Sequence, residues 1–435
     1  MNNDTESVPM ENTQDESVGK RNLKTFCAGA ALNDIGEEMY AKFLPYFALT
    51  LGVTPVQYGL IEGIGDGINR VLKLFTGYFT DKVGRKIPVI LAYILISLSR
   101  LGLPLVTGWA GFIPFRGLRQ VGRAMRDPAR EASIAESFPP AKRGRAFGLL
   151  NAVDTIGSIL GPVIGLLILY IAASSLAGTA LSDGVAKKVW MGIKTEFPRE
   201  SFIWLFLWAG LPTIISAWII YFFLFETRMP TPLFAKTPKP KHPGFSIATF
   251  MSSLKPGSPL RKLGWTTLSH MILALGAVPV SMIMLYGYDK LKASIIEGMI
   301  IFVCYSIAHF ATSYPAGWLS DRLGRFWAQA VANGLLVLSL LVTIFVRAPL
   351  FLIVPLVLYA TFESIWIANR RAAVADLAKE ETLGATLGNF SALYGFPSLL
   401  CPILFGGIWS IVGSGAALLV AALFSFAAIF VMPRK

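Results

Sequence analysis

The chain of 435 residues is 54% hydrophobic and only 15% charged, against about 25% charged in soluble domains, which excludes an ordinary soluble protein. Its net charge of +13 has no soluble basic domain to carry it, so a nucleic-acid partner is not expected; the bases sit in short connections between apolar segments, as in membrane proteins. Cys27, Cys304 and Cys401 show no CxxC spacing and His242, His270 and His309 are scattered, so no disulfide framework, metal centre or cofactor is expected.

Residues 1–22 are polar, lack aromatics and carry Asp4, Glu6, Glu11, Asp15 and Glu16, which reads as a disordered tail. Apolar segments near the length of about 20 residues that crosses a bilayer as a helix then recur at 24–51, 56–79, 87–107, 110–135, 146–172, 201–226, 264–288, 294–318, 327–346, 349–377, 385–411 and 414–433. Lipid offers the backbone no hydrogen-bond partners, so the predicted fold is all-α. A polar loop at 173–200, with Asp183, Lys187, Lys188 and Lys194, and a Pro- and Lys-rich stretch at 227–263 interrupt the series. The latter reads as an extended linker. The expected organisation is a tail (1–22), a first set of six spans (23–226), the linker (227–263) and a second set of six (264–433). Lys82, Arg85, Lys86, Lys142, Arg143 and Arg145 lie in short turns, while the turn near Gly108–Gly111 has no base. The charged turns, the linker and both termini are therefore expected in the cytoplasm.

The two sets of spans repeat each other. Gly77-Tyr-Phe-Thr-Asp81-Lys-Val-Gly84-Arg85-Lys86 returns 240 positions later as Gly317-Trp-Leu-Ser-Asp321-Arg322-Leu-Gly324-Arg325-Phe326, each copy closing one apolar segment and preceding the next. At the same offset Arg130 meets Arg370, Glu136 meets Asp376, Gly148 meets Gly388 and Pro162 meets Pro402. A parallel duplication places a pseudo-two-fold axis along the membrane normal and a site between the halves.

Ionisable residues inside spans are costly and face a cavity or a partner. Arg116, Arg119, Arg123, Arg126 and Arg130 of the fourth span fall within an arc of roughly 80° at about 3.6 residues per turn. Span one carries Asp34, Glu37, Glu38 and Lys42; span two carries Glu62, Asp66, Arg70 and Lys73; span five carries Asp154. The second half is poorer, with Glu363 at the repeat position of Arg123, and Arg370, Arg371, Asp376 and His309. Acids of spans one and two are placed to neutralise the arginines. A closed salt-bridge network that fixes packing and a cavity that binds an anion or couples to protons both remain open readings. No nucleophile–base arrangement points to an enzyme.

Gly77 to Lys86 and Gly317 to Arg325 resemble motif A of the major facilitator superfamily, over about residues 22–433. The resemblance implies twelve transmembrane helices in two pseudo-symmetric six-helix bundles, a cavity lined chiefly by spans one, four, seven and ten, and alternating access by rocking. It implies a gating role for Gly77, Asp81, Gly84 and Arg85 and for Gly317, Asp321, Gly324 and Arg325, the aspartates capping a helix or holding an Arg across the interface. Phe326, where a base is expected, implies a weaker second latch. Gly157-Ser-Ile-Leu-Gly161-Pro162-Val-Ile-Gly165-Leu166 resembles motif C of antiporter-type members, with Leu166 in place of the last Gly, and implies helix packing by Gly157, Gly161 and Pro162. Asn33-Asp34-Ile35-Gly36-Glu37-Glu38-Met39 and the stretch Arg116 to Ser137 resemble a bacterial subgroup of unassigned substrate related to magnetosome-associated members, with Arg119-Gln120 in place of Asp-Arg.

The expected function is secondary active transport of a small anionic or chelated solute, coupled to protons, by a monomer in the lipid bilayer of a bacterial inner membrane or a magnetosome-type internal membrane. The expected substrate and coupling residues are Asp34, Glu38, Glu62, Asp66, Arg116, Arg119, Arg123, Asp154 and Glu363. The alternatives are an exporter of a metal ion or cationic drug, and a non-transporting membrane sensor or partner.

Overall fold

The computed structural model describes residues 11–138, 140–176, 197–227, 247–377 and 383–434, and every regular element in them is helical. The first half comprises α1 (Glu11–Ala41), α2 (Leu44–Thr50), α3 (Pro55–Val83), α4 (Lys86–Gly102), α5 (Trp109–Ser137), α6 (Pro140–Leu176) and α7 (Arg199–Phe223). After it come α8 (Ile247–Ser253), α9 (Arg261–Gly276), α10 (Val280–Asp289), α11 (Ile295–Leu323), α12 (Arg325–Phe345), α13 (Ile353–Ala375), α14 (Leu383–Ile411) and α15 (Ser414–Val431).

Three differences from the sequence reading have local causes. Helix α1 starts at Glu11, inside the stretch expected to be a tail. Gly19 is buried there, with the backbone oxygen of Ser137 within 2.5 Å of where a Cβ would sit, so this turn of helix docks against the end of α5; residues 1–10 lie outside the described part. The stretch expected as an extended linker contains α8, and α9 begins before residue 264; residues 177–196 and 228–246 lie outside the described part. Spans one and seven are each two helices. Pro45 cannot donate a hydrogen bond back to Ala41, which ends α1, and Pro279 divides α9 from α10.

Among the described residues, nine helical segments are long and apolar enough to cross a membrane. Spans one, two and four fall outside that set. Their helices α1, α3 and α5 have 31, 29 and 29 residues, and they carry most of the buried charge. Large apolar side chains lie exposed along the outside of α7 (Trp204, Trp208, Leu211, Ile215, Trp218, Phe222) and α15 (Leu419, Leu423, Phe426, Phe430), a surface suited to lipid.

Helix packing repeats pair by pair. In the first half α1 packs on α6 and α7, α5 on α3 and α4, and α4 on α7. In the second, α9 packs on α14 and α15, α13 on α11 and α12, and α12 on α15. The halves meet where α3 crosses α14, α6 crosses α11 and α2 touches α10. The repeat reaches the helix caps. Thr54 with Gln57 and Ser294 with Glu297 build the same capping box at the starts of α3 and α11. At the other ends of these helices Gly84 (φ 93°) and Gly324 (φ 79°) adopt the left-handed backbone that favours glycine. The α3–α14 seam is close. A Cβ on Gly63 would stand 2.6 Å from the Leu399 carbonyl oxygen, and one on Gly395 2.6 Å from Arg70 Cδ.

Candidate functional site

Helix α5 holds its arginines against α3, α4, α1 and α6. Pro128 lies inside α5 and leaves the carbonyl of Ala124 without its helical donor. Thr76 of α3 supplies the missing bond through Oγ1, 2.6 Å away, which fixes the two helices in register. Asn69 Nδ2 bonds the Gln120 carbonyl at 3.2 Å, and Gln120 Nε2 bonds Asp66 at 3.0 Å.

Four of the five α5 arginines have acids. Arg116 pairs with Glu62 and Arg119 with Glu37. Arg126 binds the neighbouring Asp127 at 3.0 Å and lies 4.0 Å from Asp34; Arg130 lies 3.7 Å from Asp154. Lys73 of α3 also reaches Asp127, at 3.0 Å. Arg123, half-buried between these pairs, makes no ion pair or hydrogen bond among the described residues. Asp34 of α1 packs against Gly157 of α6, one turn along from Asp154. That approach depends on α6: a Cβ on Gly157 would meet Asp34 Cβ at 2.8 Å, and one on Gly161 would meet Glu38 Cβ at 2.6 Å. The glycines of α6 therefore bring its backbone onto α1.

The remaining expected site residues lie apart from this group. Glu38 pairs with Lys42 one turn along α1 at 3.0 Å, and Lys42 stacks over Phe302 of α11 at 3.7 Å. Glu363 accepts a hydrogen bond from Tyr305. Two residues absent from the expected site are central to it. Arg100 of α4 is fully buried and donates to Glu37 at 2.8 Å, to Asn33 at 3.1 Å and to the Ala209 carbonyl at 3.2 Å, joining α1, α4 and α7. Glu37 accepts from both Arg100 and Arg119, whereas the expected site residues of this span are its neighbours Asp34 and Glu38. A lone arginine inside the apolar span 87–107 was the signal for Arg100; nothing in the sequence chose among the three acids.

Among the described residues, the two motif A arginines bind alike, each to partners in its own half. Arg85 donates to Glu136 at 2.7 Å and to Thr80 at 3.2 Å. Arg325 donates to Asp376 at 2.7 Å, to Ser320 at 2.8 Å and to Asp321 at 2.9 Å. Asp321, expected to cap a helix or reach across the interface, is exposed and engages Arg325 one turn away. Glu226 accepts from the backbone N–H groups of Arg85 and Lys86, at 2.7 and 3.0 Å. Among the described residues, nothing lies within 4 Å of a Cβ built on Gly317, so no close approach there requires a glycine. Phe326 lies under the Arg434 guanidinium at 5.6 Å. The side-chain surroundings of residues 77 and 81 lie outside the description. Among the described residues, no three of His, Cys, Asp and Glu come together to hold a metal ion.

The family model of the Major Facilitator Superfamily matches this chain over residues 26–292 and again over 266–435. The chain belongs to the major facilitator superfamily. This superfamily member is a multi-pass membrane transporter and not an enzyme. It is 28% identical over 419 residues to an uncharacterized MFS-type transporter, MJ1317, of Methanocaldococcus jannaschii, covering 93% of this chain and 92% of the relative. Its fold is similar to the inward-facing, unoccupied crystal structure of a bacterial homologue of the human lysosomal transporter Spinster (TM-score 0.67, 15% identity, 95% of each chain). It is also similar to the human organic anion transporter MFSD10 (TM-score 0.63, 17% identity, 95% of this chain and 99% of that one).

Proposed function

We propose that this transporter moves a small anionic solute by alternating access between two six-helix bundles, residues 23–226 and 264–433, joined by the segment 227–263. The reading is carried by Arg123, a guanidinium within the charged face of α5 whose neighbours all have acids of their own. An ionised group inside a membrane protein without a partner is expensive, and a bound anion removes that cost. A cation or metal substrate fits less well, because Glu37, Glu62 and Asp127 are already engaged by arginines.

Proton coupling is assigned to Asp34 and Asp154. The Asp154 Oδ1 atom is buried with no hydrogen-bond partner among the described residues, and Asp34 packs one turn away against Gly157 of the same helix. Arg126 and Arg130 flank the pair, so an anion drawn toward the α5 arginines competes with these carboxylates for the same positive charge. The motif A arginines, satisfied within their own halves, suit a conformation open to the cytoplasm, with both termini on that side and the chain acting as a monomer in a bacterial inner membrane. Placement in a magnetosome-type membrane draws no support from the relatives above and is not part of the reading.

Proteoliposomes test it. Arg123→Ala is expected to abolish anion flux, and Asp34→Asn or Asp154→Asn to uncouple flux from a pH gradient, all with folded protein in the membrane. Full coupled transport by Arg123→Ala and Asp34→Asn would sink the assignment.

A further inference from the structure

A second group of basic side chains lies outside the α5 network. Arg70, from α3, stands 5.1 Å from the ring centroid of Tyr394 on α14, and Arg370, from α13, stands 4.6 Å from the same ring. Arg370 also covers Trp366 at 4.4 Å, and the Trp366 and Tyr394 rings meet edge-on with centroids 6.2 Å apart. A ring face holds a guanidinium through its quadrupole, and a guanidinium recognises a carboxylate through the planar N–H groups of its edge. Two donors here, Arg70 Nε and Trp366 Nε1, are buried with no hydrogen-bond partner among the described residues. A buried donor without an acceptor is destabilising. The position of Arg70 is imposed by Gly395: any Cβ there would meet Arg70 Cδ at 2.6 Å, so the absence of a side chain lets the arginine stem lie against α14.

The repeat shows what changed. Tyr394 occupies the position of Asp154, and Trp366 that of Arg126. In the first half Asp154 gives Arg130 a negative charge. In the second, Tyr394 orients guanidinium groups by its ring face and supplies no charge of its own.

We propose that Arg70, Trp366, Arg370 and Tyr394 form an anion site at the seam between the halves, taking a carboxylate group of a small solute. The proposal rests on the anionic-substrate reading and adds a second point of contact to Arg123. Arg70 belongs to one half and the other three residues to the opposite half, so a carboxylate bound here bridges them. Its binding favours the arrangement in which α3 and α14 are in contact, in proportion to its differential affinity for that state.

Calorimetric titration of the purified full-length protein in detergent, with citrate, inorganic phosphate and MnCl2 as probes, tests the site. Citrate is expected to bind. Arg70→Gln should weaken it about tenfold or more, as expected for a lost hydrogen bond to a charged group. Arg70→Lys should recover part of the loss, because the charge returns without the planar fork. Trp366→Phe, which keeps a ring and removes the N–H, should weaken it a few-fold. Wild-type citrate affinity in both Arg70→Gln and Trp366→Phe would overturn the site, leaving a packing role that a lowered melting temperature would report. If Arg123→Ala loses citrate and Arg70→Gln keeps it, the anionic-substrate reading stands and the seam site falls. If Arg70→Gln loses citrate and Arg123→Ala keeps it, the seam site stands alone. Binding of phosphate without citrate would overturn the carboxylate assignment, and binding of Mn2+ with neither anion would overturn both proposals.

Discussion

At the end of its second span each half makes the same bonds. Arg85 joins Thr80 and Glu136, and Arg325 joins Ser320 and Asp376, 240 residues further on in every case. Inside the membrane the halves differ. Where the first has Arg126 and Asp154, the second has Trp366 and Tyr394; where the first has Arg119 and Arg123, the second has Tyr359 and Glu363. The turns stayed alike because each serves a local need: a left-handed glycine, a helix start and a short ion pair. The interior was free to diverge because helix packing depends on shape and rotation, which an aromatic ring satisfies as well as an ion pair. A duplicated scaffold can thus hold its charge in one half and its ring faces in the other.

The comparison can be broken most severely at Arg100, which has no charged counterpart because Leu340 stands at its repeat position. Arg100→Leu removes one partner of a buried pair and is expected to cost about 3 kcal/mol or more, seen as a fall in melting temperature and in monodisperse yield. An unchanged melt would show that Arg119 alone suffices for Glu37. Gly161→Ala comes next. Its Cβ would collide with Glu38 Cβ and with the Ile35 carbonyl at 2.9 Å, an overpacking expected to cost about 1–3 kcal/mol. The equivalent residue in the second half is Cys401, which is buried and already carries a side chain.

A third variant pair compares burial at the bonds the two turns share. The Arg85 side chain is 4% exposed and that of Arg325 is 29% exposed, with its partner Asp376 at 53%. Exposed pairs contribute about 0–1 kcal/mol, so Arg85→Ala should lower stability clearly more than Arg325→Ala; equal losses would mean that burial does not separate the two turns. The smallest effect should also be the most symmetric. Thr54→Ala and Ser294→Ala each remove an N-cap oxygen from the same capping box, expected to cost about 1 kcal/mol apiece in thermal melts, and unequal costs would place a difference between the halves at their helix starts.

Much of this was legible in the residues. The length of apolar runs gave the helices, the 240-residue offset gave the duplication, and the 3.6-residue period put five arginines on one face of α5. The limits are equally specific. Hydropathy did not separate α1 from α2, because a proline break inside an apolar run leaves the average unchanged. Arg100 stood out as a lone arginine in an apolar span, but its partners on α1 and α7 did not follow from the sequence. The sequence made Asp34, Glu37 and Glu38 equivalent candidates, although Asp34 and Glu38 pack against α6 while Glu37 meets the arginines of α4 and α5.

By itself, then, the sequence determined a duplicated, all-helical membrane protein with charge concentrated in its first half, because those properties depend on composition and period along one chain. Only the tertiary structure decided that Glu37 serves two arginines, that Asp34 packs one turn from Asp154, and that Arg123 makes no ion pair among the described residues. An ion pair forms or fails over about an ångström, and helix rotation, fixed by contacts such as Thr76 to Ala124 and Gly161 to Glu38, sets that last ångström.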